Sequence, residues 1–165
     1  MSTPCLHDAA QTDIEALVQI LHDADESDAR TLAALSDDAL HSYAVYENKE
    51  LVGAAAVRWP DTEAVDVSEI ILLAVAPPRR GQGIGKWIIT ALMDEARRRS
   101  VRVVQVGTGS VSLDNIVFYQ KCGFRMSHVR RDYFEYIQPP LVAGGVVLRD
   151  MIVFDYILDD GIAPS

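Results

Sequence analysis

Residues 79–87 read RRGQGIGKW, directly after ILLAVAPP at 71–78. A strand-like apolar run stops at Pro77 and Pro78. Glycines then recur at 81, 83 and 85, and an apolar stripe of helical spacing begins at Ile84. Glycines let a backbone turn with its N–H groups facing inward, and the first turn of a helix adds unpaired donors and partial positive charge. Such a turn can seat a phosphate or pyrophosphate, or it can be a tight connection only. The glycine count alone does not separate the two. Arg79, Arg80 and Lys86 stand at the helix end where cations are disfavoured unless an anion is present.

Two phosphate motifs are excluded. A nucleotide-triphosphate loop needs Gly, four residues, then Gly-Lys-Ser/Thr; here Arg80 stands in the first glycine's place and Trp87 follows Lys86, so no hydroxyl can reach a metal. A dinucleotide fingerprint needs G-x-G-x-x-G, and the stretch reads G-x-G-x-G followed by Lys86. GTGS at 107–110 lacks a third glycine and reads as a turn.

The 165 residues suffice for one domain with a core of its own, and 49% hydrophobic with 24% charged residues is an ordinary globular balance. No apolar run is long enough to cross a membrane, and MSTPCLHDAAQTDIEAL lacks the layout of a secretory signal. A cytoplasmic protein is expected, with no membrane partner. Cys5 and Cys122 are far apart, and His7, His22, His41 and His128 are scattered singly, so neither a disulfide framework nor a metal is expected. A net charge of −9 argues against nucleic-acid binding, which rests on phosphate neutralisation. The charge is uneven: residues 1–76 carry 15 acids and 3 bases, residues 77–102 carry 7 bases and 2 acids. A basic island in an acidic chain suits one local anion site. Arg97, Arg98, Arg99 and Arg102 are read instead as complementing the C-terminus of a helix.

The pattern predicts a short strand at CLHDA. A helix from about Thr12 carries Ile14, Leu17, Val18 and Leu21 on one face, with Thr12 and Glu15 as a capping box, and a second helix follows. SYAVYENKELVGAAAVRW reads as a hairpin turning at Asn48-Lys49, and EAVDVSEIILLAVA as a strand buried on both faces. A helix over 85–99, the strand VRVVQVGT, a helix from about Asp114 ending near Gly123, and strands in RMSHVRRDYFEY and VVLRDMIVFDYIL complete the order.

Read together, LLAVAPPRRGQGIGKWII and DNIVFYQKCGF resemble the two motifs of the GNAT acetyltransferase superfamily, in order and spacing. Arg80, Gly81, Gln82, Gly83, Ile84 and Gly85 match its R/Q-x-x-G-x-G/A acyl-coenzyme A signature; Leu73, Val75 and Pro77 match the preceding L-x-V-x-P; Asn115 and FYQKCGF match the second motif. The likeness covers about residues 12–126 well, and the last forty residues less, in the manner of a small bacterial-type member. It implies one domain over 1–165 with an α/β fold. Its mixed, mostly antiparallel sheet would have six or seven strands, splayed between the fourth and fifth and flanked by about four helices. Acetyl-CoA would be the co-substrate. Main-chain N–H groups from Gln82 to Lys86 would hold its pyrophosphate, with charge added by Arg79, Arg80 and Lys86. The strand at Leu73, Ala74 and Val75 would pair with its pantetheine arm, and Asn115 would hydrogen-bond that arm.

Acetyl transfer to an amine needs a neutral nucleophile, and an alkylamine with a pKa of about 10.4 arrives protonated, so a general base is required. Glu69 is the candidate base: it interrupts the apolar strand, shares a face with Ile71, Leu73 and Val75 by alternation, and matches a position where many family members keep a carboxylate. A solvated Glu near a strand end is the alternative, and Asp66 and Ser68 are weaker substitutes. A backbone N–H, that of Val75, would stabilise the oxyanion. Tyr119 matches the family tyrosine and is the candidate acid for the departing thiolate. Cys122 has no accompanying His or acid in sequence and is read as a small core side chain.

The family's acceptor region corresponds here to Asp23, Asp25, Glu26 and Asp28, then Tyr133, Tyr136 and the Pro139-Pro140 loop. Acids with aromatics suit a cationic amine, while a solvated acidic loop is the plainer account. The expected activity is therefore N-acetylation of a small-molecule primary amine by direct attack. The alternatives are a protein N-terminal or lysine acetyltransferase and a non-catalytic acyl-CoA-binding module. The family often forms homodimers through C-terminal strands, and MIVFDYIL could supply such a surface or core.

Overall fold

The apolar run at 67–75 becomes the strand around which the sheet is organised. The computed structural model describes residues 4–9, 14–22, 27–61 and 66–158. In chain order the elements are β1 (Cys5–Asp8), α1 (Ile14–Leu21), α2 (Asp28–Leu35), β2 (His41–Glu47), β3 (Glu50–Arg58) and β4 (Val67–Val75). A single 3₁₀ turn, Pro77–Arg79, leads to α3 (Ile84–Arg98), β5 (Val103–Gly109), α4 (Leu113–Lys121) and β6 (Arg125–Arg130). The chain closes with β7 (Val142–Ala143), β8 (Val146–Val147) and β9 (Met151–Ile157). Seven strands form one sheet in the order β1-β2-β3-β4-β5-β9-β6, antiparallel except for β4 and β5; β7 and β8 pair separately.

Local chemistry explains most of these boundaries. Asn48 and Lys49 both adopt positive φ, 53° and 67°, as a two-residue hairpin turn between β2 and β3 requires. Ile84, Ile88, Leu92 and Ala96 form the buried stripe of α3, and Gly123, at φ 97°, follows the end of α4. The α3 arginines pair with their own helix, Arg97 with Asp94 at 2.8 Å and Arg98 and Arg99 with Glu95 at 2.6 Å. The capping box at Thr12 lies outside the described residues.

Helices α3 and α4 cover one face of the sheet, over a core that includes Val57, Ile70, Ile88, Leu92, Val106, Tyr119 and Phe154. Helices α1 and α2 cover the other, where Leu17 and Leu21 meet Ala44, Ala54, Ala56, Leu72 and Ala74. β9 lies between β5 and β6, and within MIVFDYIL Val153 and Phe154 are fully buried and Leu158 is buried, while Ile157 is exposed.

Strand β4 departs from simple alternation. Ala56 pairs with Leu72 but Val57 pairs with Ile70, which leaves Ile71 as an extra residue, a β-bulge. Ile71 and Leu72 consequently both pack towards α1 and α2, while Ile70, Leu73 and Val75 belong to the α3 side. The pairing of β4 with β5 ends at the same point, at Ile70 and Val106, although β5 runs on to Gly109 beside β9. A bulge bends and overtwists its strand, and this one turns the end of β4 away from β5. The sheet opens there into a V, between the fourth and fifth strands as expected.

Several local expectations are corrected. GTGS is not a turn throughout, since Gly107 to Gly109 continue β5; a Cβ at Gly107 would collide with the Met151 side chain at 2.3 Å, so close packing across β9 explains that glycine. β4 is alternately buried and half-buried rather than buried on both faces. β6 stops at Arg130, and residues 131–136 form turns.

Candidate active site

The V between β4 and β5 holds a cleft of about 430 Å³, lined from both sides of the sheet. From the α3 side come Arg80, Asn115, Phe118 and Tyr119; from the other come Arg30, Tyr133, Phe134 and Tyr136. Backbone polarity follows from the ladder. Ala76 N donates to Val52 O at 2.9 Å, so by antiparallel alternation Ala74 directs its polar groups to β3, and Leu73 and Val75 direct theirs into the gap. The Val75 carbonyl accepts from Arg80 Nε at 2.9 Å, which leaves its N–H and both polar groups of Leu73 on the cleft side.

The glycine turn lies at the end of this V. Gly81 and Gly83 have φ of 72° and 85°, a region that favours glycine, and nothing lies within 4 Å of the place a Cβ would take at either. Gly83 is the N-cap of α3 and offers no side-chain cap, so the first-turn N–H groups of Ile84, Gly85 and Lys86 are uncapped donors beside Gln82. Gly85 serves a different purpose. A Cβ there would lie 3.2 Å from the Phe118 ring, and its absence lets α4 pack on the first turn of α3. The two sequence motifs thus meet in space. Asn115, near the start of α4, donates to Thr108 Oγ1 across the cleft floor at 3.3 Å. Loop, strand and helix together fit an extended thiol carrier ending in a pyrophosphate.

Arg79 does not face this seat. Its guanidinium pairs with Glu47 and, at 2.9 Å, with Glu50, the two ends of the β2–β3 hairpin, while Nε donates to Gln82 Oε1 at 3.3 Å. The side chain is largely buried, at 19% exposure, and ties the hairpin to the glycine loop. Its role was hidden from sequence because both carboxylates lie some thirty residues upstream. Arg79→Ala should raise the acetyl-CoA KM about fivefold, the scale of one partly buried ion-pair network, with kcat nearly unchanged in steady-state kinetics.

Tyr119 is 7% exposed, with ring centroids of Phe118, Phe124 and Phe154 at 5.2, 5.8 and 6.0 Å. Burial, with a smaller contribution from Cys122, pushes its phenol well above the usual range, so it keeps its proton. Burial also raises the Cys122 thiol, against the pull of Lys86, which makes a reactive thiolate unfavourable.

Glu69 lies before the bulge and pairs with Arg58 in register. The extra residue therefore places it on the α1–α2 face, opposite Leu73 and Val75, contrary to simple alternation. Its carboxylate accepts from Arg130 Nη1 at 2.7 Å and lies 3.6 Å from Arg58. Ser68 points to the other face and is 1% exposed, with no hydrogen-bond partner for its hydroxyl; the Asp66 carbonyl accepts from the N–H groups of Arg102 and Val103 at the far end of the strand. Asp28 turns to His22, 2.6 Å away. Asp23, Asp25 and Glu26 lie outside the described residues. Arg30, Phe134 and Met151 also line the cleft. They carry no local signal in sequence, because only the folded α2, the turn after β6 and β9 bring them together. Among the described residues no helix is long and apolar enough to cross a membrane, and no group of three His, Cys, Asp or Glu could hold a metal ion.

Comparison with known proteins agrees with this geometry. The Acetyltransferase (GNAT) family model matches residues 7–124. An uncharacterized N-acetyltransferase of Bacillus subtilis, YvbK, is 27% identical over 111 residues, 67% of this chain and 70% of that protein. The aminoalkylphosphonate N-acetyltransferase of Salmonella typhimurium is 31% identical over 98 residues, 58% of this chain and 64% of that protein. The crystal structure of a GNAT family acetyltransferase from Elizabethkingia anophelis with acetyl-CoA bound superposes with a TM-score of 0.82 at 27% identity, covering 94% of this chain and 98% of that one. With its two motifs joined at the mouth of a splayed sheet, and that sheet shared with an acetyl-CoA-bound member, the chain belongs to the GNAT family and is an acetyltransferase that uses acetyl-CoA.

Proposed function

We propose that the protein moves the acetyl group of acetyl-CoA to a primary amine of a small molecule, by direct attack in a ternary complex. The observation that carries this reading is a cleft lined from both faces of the sheet, so that thioester and amine can meet through the V. The N–H groups from Gln82 to Lys86 hold the pyrophosphate, with Arg80 alongside, and Leu73, Val75 and Asn115 hold the pantetheine arm. The amine enters as an ammonium ion from the α1–α2 side, and Glu69, which stands outside the cleft lining and is steadied by Arg58 and Arg130, takes its proton through intervening water. The lone pair attacks the thioester carbon, and the Val75 N–H stabilises the oxyanion. The carbon–sulfur bond then breaks, the Tyr119 hydroxyl donates its proton to the departing thiolate, and the second proton of the former amine, shed as the amide forms, returns to the Tyr119 oxygen. A relative named for aminoalkylphosphonates is in keeping with a small acceptor, and relatives named for the alanine of ribosomal protein bS18 keep the protein acceptor as the alternative.

A thiol-release assay with acetyl-CoA and a panel of free amines tests the reading. Turnover of free amines supports it; turnover only of peptides with a free N-terminus or a lysine would replace it. Binding of acetyl-CoA without release onto any amine would make the protein a binding module. For an accepted amine, Glu69→Gln should cut kcat about tenfold near neutrality, with the deficit shrinking as pH approaches the amine pKa of about 10.4. A deficit independent of pH would remove Glu69 from the proton path.

A further inference from the structure

We propose that the acceptor carries an anionic oxyacid group, a carboxylate or a phosphonate, on an apolar body beside its amine, and that Arg30 selects for it. The inference deepens the small-amine reading and rests on it. Three charged side chains among the described residues line the cleft. Arg80 belongs to the acetyl-CoA loop and Asp114 to the first turn of α4, which leaves Arg30 at the acceptor end. Its guanidinium carbon lies 3.8 Å from the centroid of the Tyr136 ring. Stacking fixes the plane of a guanidinium and turns its donor edge outward, the geometry that grips two oxygens of one anion. Five donors allow it to hold an anion and keep an ion-pair partner at once.

The surroundings favour the same class. Tyr133 meets Phe134 and Tyr136 edge-on at 5.0 and 6.5 Å, and these rings, with Leu148 and Met151, give an apolar wall. The Tyr136 face that could have caged a cation is covered by Arg30. The carboxylate of Glu69 is flanked by Arg58 and Arg130. Among the described residues Arg30 is the charged side chain lining the acceptor end of the cleft, so a polycation would meet a guanidinium there, whereas an amine that carries an anionic group can set its oxygens on Arg30.

The test is a comparison of matched acceptors at saturating acetyl-CoA: 2-phenylethylamine against phenylalanine and 1-amino-2-phenylethylphosphonic acid, pentylamine against norleucine, and spermidine. At least one anion-bearing member should exceed its plain amine in kcat/KM by about tenfold, the worth of one charge-assisted contact. Arg30→Gln should bring that ratio close to one. Because the ratio is taken within one variant, loss of folded enzyme cannot imitate the effect. Carboxylate and phosphonate arms separate the two oxyacids. Plain amines or spermidine equal to or better than the acids, or a ratio unaltered in Arg30→Gln, overturns the inference and leaves the small-amine reading standing. No turnover of any member while acetyl-CoA still binds overturns both.

Discussion

Tyr119→Phe should lose about 100-fold in kcat, the lower end of what a positioned proton donor contributes, while the Kd for acetyl-CoA stays within a factor of about two. The substitution removes one oxygen and keeps the ring contacts with Phe118, Phe124 and Phe154. Because burial holds the phenol above its ordinary value of 10, the wild-type rate should show no alkaline decline from Tyr119 below that pH. The sign for stability runs the same way. A phenol raised in the folded state leaves stability intact below pH 10, and stability falls as pH rises further, where only the unfolded phenol ionises readily. Single-turnover thiol release with the two proteins checks the kinetic claim. An unchanged rate would remove Tyr119 as the acid.

Gly83→Val should act on the opposite parameter. At φ 85° a β-branched side chain is strained even though space is open, and the loop can relieve that strain only by leaving the geometry that aims its N–H groups. Strain on the scale of about 1–3 kcal/mol implies a loss of about 5- to 150-fold in acetyl-CoA affinity, measurable by calorimetry. Gly83→Asn, which visits the left-handed region more readily, should lose less. Turnover at saturating acetyl-CoA should remain near wild type in both. A fall in kcat with affinity intact would mean that the turn positions the chemistry and not the pyrophosphate.

The contrast between these two residues marks what sequence could convey. Gly83 and Tyr119 belong to runs whose local pattern survives translation into structure: strand, glycine turn, helix, then a second helix that packs on Gly85 through Phe118. Element order was legible for the same reason, whereas the place of the splay followed from the family resemblance and not from the local pattern. Glu69 shows where alternation fails. An apolar strand gives no sign of one extra residue, and the bulge at Ile71 reverses which face every later side chain occupies. Arg79 was legible as a charge but not as a partner of Glu47 and Glu50, because ion pairs across a hairpin depend on register. Arg30 and Phe134 had no pattern at all, and only tertiary folding brings helix α2 to the turn after β6.

Initial velocities measured over a grid of acetyl-CoA and amine concentrations address the two-sided cleft most directly. Direct attack requires both substrates bound at once, so double-reciprocal lines should intersect, and mass spectrometry should find no acetylated enzyme in the absence of amine. Parallel lines with an acetyl group on Cys122, whose thiol burial raises, would contradict the ternary complex and the roles given to both faces of the V.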